Sequence, residues 1–435
     1  MIRIKDIQEA FAGLVGWEQG YTDEERLEES LCESASGLVY QGAHPLVTLE
    51  NVRAVMPETY PMRYEEWKSN VPYEEGAKVR MGTDVFRAKS ANEGVSPATD
   101  NAVWEPFNVL NDYLVEMQDR CTAQVVQTFL QTKSILKESK SLLERRTFFD
   151  GAGRINASIE PKGRLVGFEI TPAYAMGVTA KVGRVGLQFT GGTGTVRLYL
   201  FHTSRVEPLK VADVQYTRTN GGFQWFDLTD WYLPYISSDK DSGGSWYLCY
   251  DEGELPDGME AINVSKDWSR EPCGTCNIGD LAGWRELTKY LNISPFRVKI
   301  GESFAEYPEM WDIEENVYTN TTNYGLNCEV TVACDLTDFI IRERDIFASV
   351  MQRQMAATLL RTLALNPHVR VNRNQSNASK NELLYEVDGN TDGRPTGLGH
   401  ELKKAYEALD IDTRGIDRIC LTCRPVGVKY RTVSQ

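Results

Sequence analysis

Leu165-Val-Gly-Phe-Glu-Ile, Val185-Gly-Leu-Gln-Phe and Thr195-Val-Arg-Leu-Tyr-Leu-Phe decide the fold class. Each run is short, rich in β-branched and aromatic residues, and bounded by polar or glycine-containing sequence, as strands are. Gly191-Gly-Thr-Gly between the second and third predicts a hairpin connection. Phe223-Gln-Trp-Phe and Ser245-Trp-Tyr-Leu-Cys-Tyr continue the pattern. Residues 151–300 are therefore expected to form an antiparallel β-sandwich, jelly-roll-like. Six of the nine tryptophans fall between Trp225 and Trp311, where large rings can fill the space between two sheets.

The chain on either side has a helical period. In 1–63, Ile7, Ala10, Phe11, Leu14 and Val15 recur at helical spacing, and Leu46, Leu49, Val52 and Met56 resume it. Asp23, Glu24, Glu25, Glu28 and Glu29 read as a solvated face. In 109–150 a stripe of Leu110, Leu114, Met117, Cys121, Val125, Phe129 and Leu136 predicts a connecting helix from Val109 to Leu143, suited to packing against a copy of itself. In 301–435, Leu326-Asn-Cys-Glu-Val-Thr-Val-Ala-Cys alternates as a strand should. It leads to a helix over 338–365, with Asp335 and Thr337 as capping residues and Asn366-Pro367 as the stop. A helix over 400–409 and a strand from Ile416 complete a C-terminal α+β docking unit. The whole is expected to be α+β and multidomain.

The 435 residues carry 47 Lys+Arg against 62 Asp+Glu, a net charge of −15, with 41% hydrophobic residues and only four histidines. Scarce histidine disfavours His-rich metal catalysis. The acidic balance argues against a phosphate-binding surface, and hence against nucleic acid. Residues 361–435 hold 12 Lys+Arg and 9 Asp+Glu, so that end is +3 and the remainder −18; this asymmetry suits contacts between subunits. No run approaches the roughly 18–20 apolar residues of a membrane span, and the first residues lack the apolar core of a signal peptide. A cytoplasmic chain with reduced cysteines follows as the expectation.

The most specific pattern is in 64–108. Trp67, Tyr73, Gly76, Val79, Gly82, Phe86, Ala88, Gly94, Pro97 and Trp104 keep an order that suits a small three-stranded sheet with a few aromatics for a core. This stretch resembles the chitin-binding-type carbohydrate-binding modules of chitinases and of phage tail and fibre proteins. The resemblance implies that Trp67, Tyr73 and Trp104 stack on sugar rings; the same three are, on the plainer reading, the core of the module.

Two Cys-x-x-Cys pairs, Cys273-Gly-Thr-Cys276 and Cys420-Leu-Thr-Cys423, would together satisfy a tetrahedral structural zinc. Their separation of 143 residues is far from a compact zinc ribbon, and buried or unpaired thiols are the plainer expectation. No other cofactor is expected. Gly191-Gly-Thr-Gly lacks the Lys-Ser/Thr of a phosphate loop, His202 reads as a hydrogen-bonded turn residue, and no catalytic residue is assigned.

Ser36-Gly-Leu-Val-Tyr-Gln-Gly-Ala-His-Pro-Leu-Val-Thr-Leu, Phe149-Asp-Gly-Ala-Gly-Arg-Ile, Leu198-Tyr-Leu-Phe-His-Thr-Ser and Cys334-Asp-Leu-Thr-Asp-Phe-Ile-Ile stand in a telling order. In that order of parts, the chain resembles structural proteins of tailed phages that infect Bacteroidales. The resemblance implies a non-enzymatic virion component of the tail, baseplate or neck. It would assemble in the host cytoplasm with other tail proteins and copies of itself; surface-glycan recognition is the alternative.

Overall fold

The computed structural model describes residues 2–22, 26–132, 140–149, 154–205, 207–217, 222–237, 242–265, 268, 271, 281–299, 317–318, 321–365, 377–388, 396–409 and 416–420. The fold is mixed α+β. Two compact units emerge, each built from separated stretches: Arg3–Ser134 with Ile340–Asp412, and Ile135–Phe339 with Thr413–Gln435 and the first two residues. The five serial segments of the sequence reading therefore regroup into two interleaved bodies.

The described helices are α1 Ile4–Phe11, α2 Glu29–Cys32, α3 Leu49–Val55, α4 Val109–Thr132, α5 Leu281–Leu287, α6 Thr337–Arg342, α7 Ala348–Leu365, α8 Asn377–Asp388 and α9 Leu398–Ala408. In the first unit α7 is the hub, packed by α3, α4, α8 and α9. The stripe of α4 is spent on this unit's own core: Leu110, Leu114, Met117, Cys121, Val125 and Phe129 are all buried. Cys121 Sγ lies 3.8 Å from Met355 Sδ on α7, and the Phe129 ring meets Phe347 edge-on at 5.0 Å. The expected connecting helix is corrected on two counts. Its apolar side is internal, and residues 141–147 are strand instead of helix. The helix expected over 338–365 is also interrupted, by a 3₁₀ turn at Arg344–Phe347 between α6 and α7. Asp335 does cap α6, its Oδ1 accepting the Thr337 N–H at 2.9 Å.

The aromatic module belongs to the same unit. Its strands are β1 Pro72–Tyr73, β2 Lys78–Met81, β3 Asp84–Ala88, β4 Asn92–Glu93 and β5 Trp104–Pro106. They form the three-stranded sheet β2-β3-β5 and the pair β1-β4.

The second unit holds β6 Ser141–Thr147, β7 Arg154–Ile159, β8 Arg164–Pro172, β9 Val178–Leu187, β10 Phe189–Thr190, β11 Thr193–His202, β12 Lys210–Thr217 and β13 Gln224–Pro234. It continues with β14 Ile236–Ser237, β15 Ser242–Gly243, β16 Trp246–Asp251, β17 Glu260–Ser265, β18 Leu291–Lys299, β19 Val317–Tyr318 and β20 Leu326–Cys334. A six-stranded sheet runs β12-β11-β16-β8-β18-β19, a four-stranded one β13-β9-β20-β6, and a three-stranded one β10-β17-β7. Their pairings are antiparallel.

Alternation explains the core. Phe168, Leu198, Leu200 and Leu248 from the six-stranded sheet share one buried cluster with Val182, Val185, Cys328 and Val330 from the four-stranded sheet. The intervening residues Leu165, Tyr199, Phe201, Tyr247, Cys249 and Phe296 form a second buried cluster on the opposite side of the six-stranded sheet. That sheet is thus buried on both faces, so Leu198-Tyr-Leu-Phe is a continuous apolar run instead of an alternating one. Gly167 sits where β8 meets β16, and a Cβ there would fall 2.1 Å from the Leu248 carbonyl oxygen.

The Gly191-Gly-Thr-Gly hairpin is corrected. β9 lies in the four-stranded sheet and β11 in the six-stranded one, while β10 pairs with β17. Gly191, at φ +72°, turns the chain from one sheet to another instead of folding two partners together. The expected strand at the C-terminal end is corrected too: Ile416 makes a single parallel bridge to Met176, and Arg418–Cys420 is a 3₁₀ turn. Among the described residues, no helix is long and apolar enough to cross a membrane.

Candidate functional site

The module places its three aromatics unequally. Trp104, on β5, is 1% exposed, and its indole N–H donates to the Val95 carbonyl at 2.9 Å. Its ring packs with Val79 and Ala88, and Tyr73 meets it edge-on at 5.5 Å. A ring so enclosed has no free face for a sugar, so Trp104 is corrected to a core residue: a small sheet needs a large side chain to bury enough apolar area. Trp67 and Tyr73 are half-buried. The Tyr73 hydroxyl accepts the Lys68 N–H at 2.8 Å, which fixes its ring. The Trp67 indole nitrogen is buried and has no hydrogen-bond partner.

The thiols are arranged differently from the zinc expectation. Cys420 is joined to Cys334 at the end of β20 by a disulfide, with a Cα–Cα separation of 5.6 Å. The Cys420 sulfur is therefore committed, and the four-thiolate site loses one of its ligands. Cys273, Cys276 and Cys423 lie outside the described residues. The expectation of reduced cysteines is corrected for this pair, since their backbones stand within bridging distance. Cys32, Cys121, Cys249 and Cys328 carry free thiols. Burial raises the pKa of Cys121 to about 11 and pushes Cys249 and Cys328 up as well. Among the described residues, no three His, Cys, Asp or Glu side chains gather in a way that could hold a metal.

The disulfide fastens a short strap. Asp417 donates its N–H to the Met176 carbonyl at 2.8 Å, and its Oδ2 accepts the Ala175 N–H at 3.3 Å. Asp417 Oδ1 accepts the Ile419 N–H at 3.0 Å, closing the turn that presents Cys420. The Ile416 side chain fills the space beside Gly177, where an added Cβ would approach it to 2.9 Å. Both half-cystines are fully buried. Nothing in the spacing of the cysteines singles out this pairing, because it joins one cysteine of the second Cys-x-x-Cys motif to Cys334, which lies in neither motif.

The buried charges of the sheet unit are paired. Glu252, 3% exposed, receives a two-pronged bond from Arg164 at 2.7 Å on each oxygen and a third from the Lys162 N–H at 3.0 Å. Glu329, 7% exposed, is held between Arg184 and Arg145. Burial alone would raise the Glu329 pKa, but the bonds from Arg184 and Arg145 outweigh it and leave it lowered. His202 is the expected turn residue: its Nδ1 accepts the Ser204 N–H at 3.1 Å and lies 2.8 Å from the Ser204 Oγ. Open grooves among the described residues include one of about 350 Å³ lined by Leu142, Arg146, Glu286 and Lys289, and another of about 350 Å³ lined by Glu18, Tyr21, Val47 and Glu50. Comparisons with family models, with curated proteins and with solved structures found no match to this chain.

Proposed function

We propose that the chain is a non-enzymatic structural component of a phage virion, in the tail, baseplate or neck. It would act through contacts with other particle proteins and with copies of itself. In this reading the sheet unit is a jelly-roll-like sandwich whose loops and strand edges are the assembly surface. The observation that carries it is the use of buried charge. Glu252 is held by Arg164 and the Lys162 N–H, and Glu329 by Arg184 and Arg145, so both brace a scaffold and do not converge on a substrate. The expected result is a homo-oligomer by light scattering, and a fixed copy number for the chain in purified particles by cryo-EM. A monomer at every concentration tested, together with absence from the particles, would overturn this reading.

A second reading, glycan recognition, is favoured by Trp67, whose ring is partly exposed and so keeps surface on which a sugar could stack. A glycan array probed with the full chain and with Trp67→Ala tests it. Binding lost in the variant supports the reading, and silence of both proteins removes it.

A further inference from the structure

We propose that the outer face of the four-stranded sheet, centred on Gly183, is a binding site for a neutral oligosaccharide. The sheet β13-β9-β20-β6 turns Val182, Val185, Cys328 and Val330 into the shared core. Lys181 and Arg184 of β9, Trp225 and Tyr232 of β13 and Glu329 of β20 therefore share the opposite face. Regular pairing breaks there at one level. Register shifts fall between Asp227 and Trp231 on β13, between Glu329 and Val330 on β20, and between Val330 and Val332 where β20 meets β6. Two of the three described non-glycine residues with a left-handed backbone, Arg145 (φ +45°) on β6 and Asp230 (φ +58°) on β13, lie at this level. Bulges re-aim side chains and gather beside binding sites, as strained backbone does.

Gly183 sits within the break. An added Cβ there would meet nothing nearer than the Glu329 carbonyl oxygen at 3.9 Å, so the face has a gap in its side chains at that point. At Gly186 the reverse holds: a Cβ would come within 3.2 Å of two atoms of the Trp225 ring, so that ring lies over the β9 backbone. Trp225 and Tyr232 are both partly exposed. The Arg184 guanidinium carbon is 5.3 Å from the Trp225 centroid, and the Lys181 ammonium is 5.0 Å from that of Tyr232. Glu329 spends its carboxylate on Arg184 and Arg145 and so positions both guanidinium groups. No described residue forms a side-chain ion pair with Lys181, Asp227 or Asp230. Lys181, Arg184 and Arg145 balance Glu329, Asp227 and Asp230, so the face is neutral in a chain of net charge −15. A strongly charged partner finds no matching field there. Donors and acceptors beside two aromatic rings suit an uncharged ligand rich in hydroxyls, whose CH faces pack on the rings. From Trp225 to Arg145 the face crosses four strands, roughly 14 Å, which is room for a short oligosaccharide. The site is separate from the Trp67 reading, because Trp67 belongs to the other compact unit.

The test uses the full chain on an array of neutral and acidic oligosaccharides, followed by isothermal titration with the neutral oligosaccharide of strongest signal. Its Kd should change less than about twofold between about 0.05 and about 0.5 M NaCl, because no charge is being screened. Trp225→Ala should weaken binding at least about tenfold. Gly183→Leu should do the same by filling the gap, and its thermal midpoint should stay within about 2 °C of wild type because the added side chain meets open space. Trp67→Ala should bind as wild type does. The proposal is overturned if no neutral oligosaccharide binds, if only acidic ones do, if either folded variant of the sheet face binds as tightly as wild type, or if Trp67→Ala abolishes binding.

Discussion

Replacing Cys420 by Ser should destabilise the sheet unit far more than the loss of one small side chain would suggest. The disulfide encloses 86 residues of sequence. By chain-entropy reasoning, a loop that long withdraws about 4.6 kcal/mol of freedom from the unfolded state at 25 °C. If helices α7 to α9 stay folded while the sheets melt, only about 25 residues of the loop are free, and the figure drops to about 3.5 kcal/mol. For a unit of roughly 230 residues, each kcal/mol moves the melting midpoint by about 2–4 °C, so the expected loss is about 7–18 °C. Differential scanning calorimetry of the full chain in thiol-free buffer measures it, with the wild-type protein in excess dithiothreitol as a control that should match the variant. A midpoint lowered by less than about 2 °C in both samples refutes the reasoning, because 3.5 kcal/mol cannot hide in so small a shift.

Three further outcomes follow from the packing and the charges. Glu252→Ala leaves Arg164 buried without its partner and should cost about 3–5 kcal/mol in urea unfolding, whereas replacing both residues with apolar ones of similar volume should cost much less. Gly167→Ala forces a methyl group against the Leu248 carbonyl and Cys249 across the β8–β16 pair, and should give insoluble protein or a strongly lowered midpoint in a thermal melt. The Glu329 carboxylate is held below its ordinary pKa of 4.5, so its stabilisation is complete above that value and disappears as pH falls through the lower folded value; Glu329→Gln should therefore flatten the acid limb of a stability–pH profile below about pH 4.5.

The strands were legible because burial dictates their composition. Leu326–Cys334 alternates in the sequence and alternates in the sheet, with Cys328, Val330 and Val332 inward. What the sequence concealed is long-range. Gly191-Gly-Thr-Gly has the composition of a tight turn whether the chain folds back on its neighbour or crosses to another sheet, and only the partners of β9 and β11 separate the two. Ser141–Thr147 continues a helical-looking stripe, yet β20, nearly 190 residues away, claims it as a partner. For the aromatic trio, the motif order found the small sheet, but a buried Trp104 and a half-exposed Trp67 look alike on paper. The disulfide was hidden for a similar reason, since proximity in sequence suggested Cys-x-x-Cys pairs and proximity in space chose Cys334.

The interleaving of the two units sets a timetable for synthesis. Helix α4 is finished at Thr132, but the helix that covers its apolar stripe, α7, begins only at Ala348. At about 5–20 residues per second, a ribosome takes roughly 10–40 s to make the intervening chain. During that interval Cys121, Thr122 and Phe129 have been synthesised without Met355, Met351 and Phe347, which they pack against, while an entire sheet body is being made behind them. Helix α4 thus emerges well before the unit it belongs to can be completed. A nascent chain stalled before Ala348 should be a strong client for chaperones that hold exposed apolar helices.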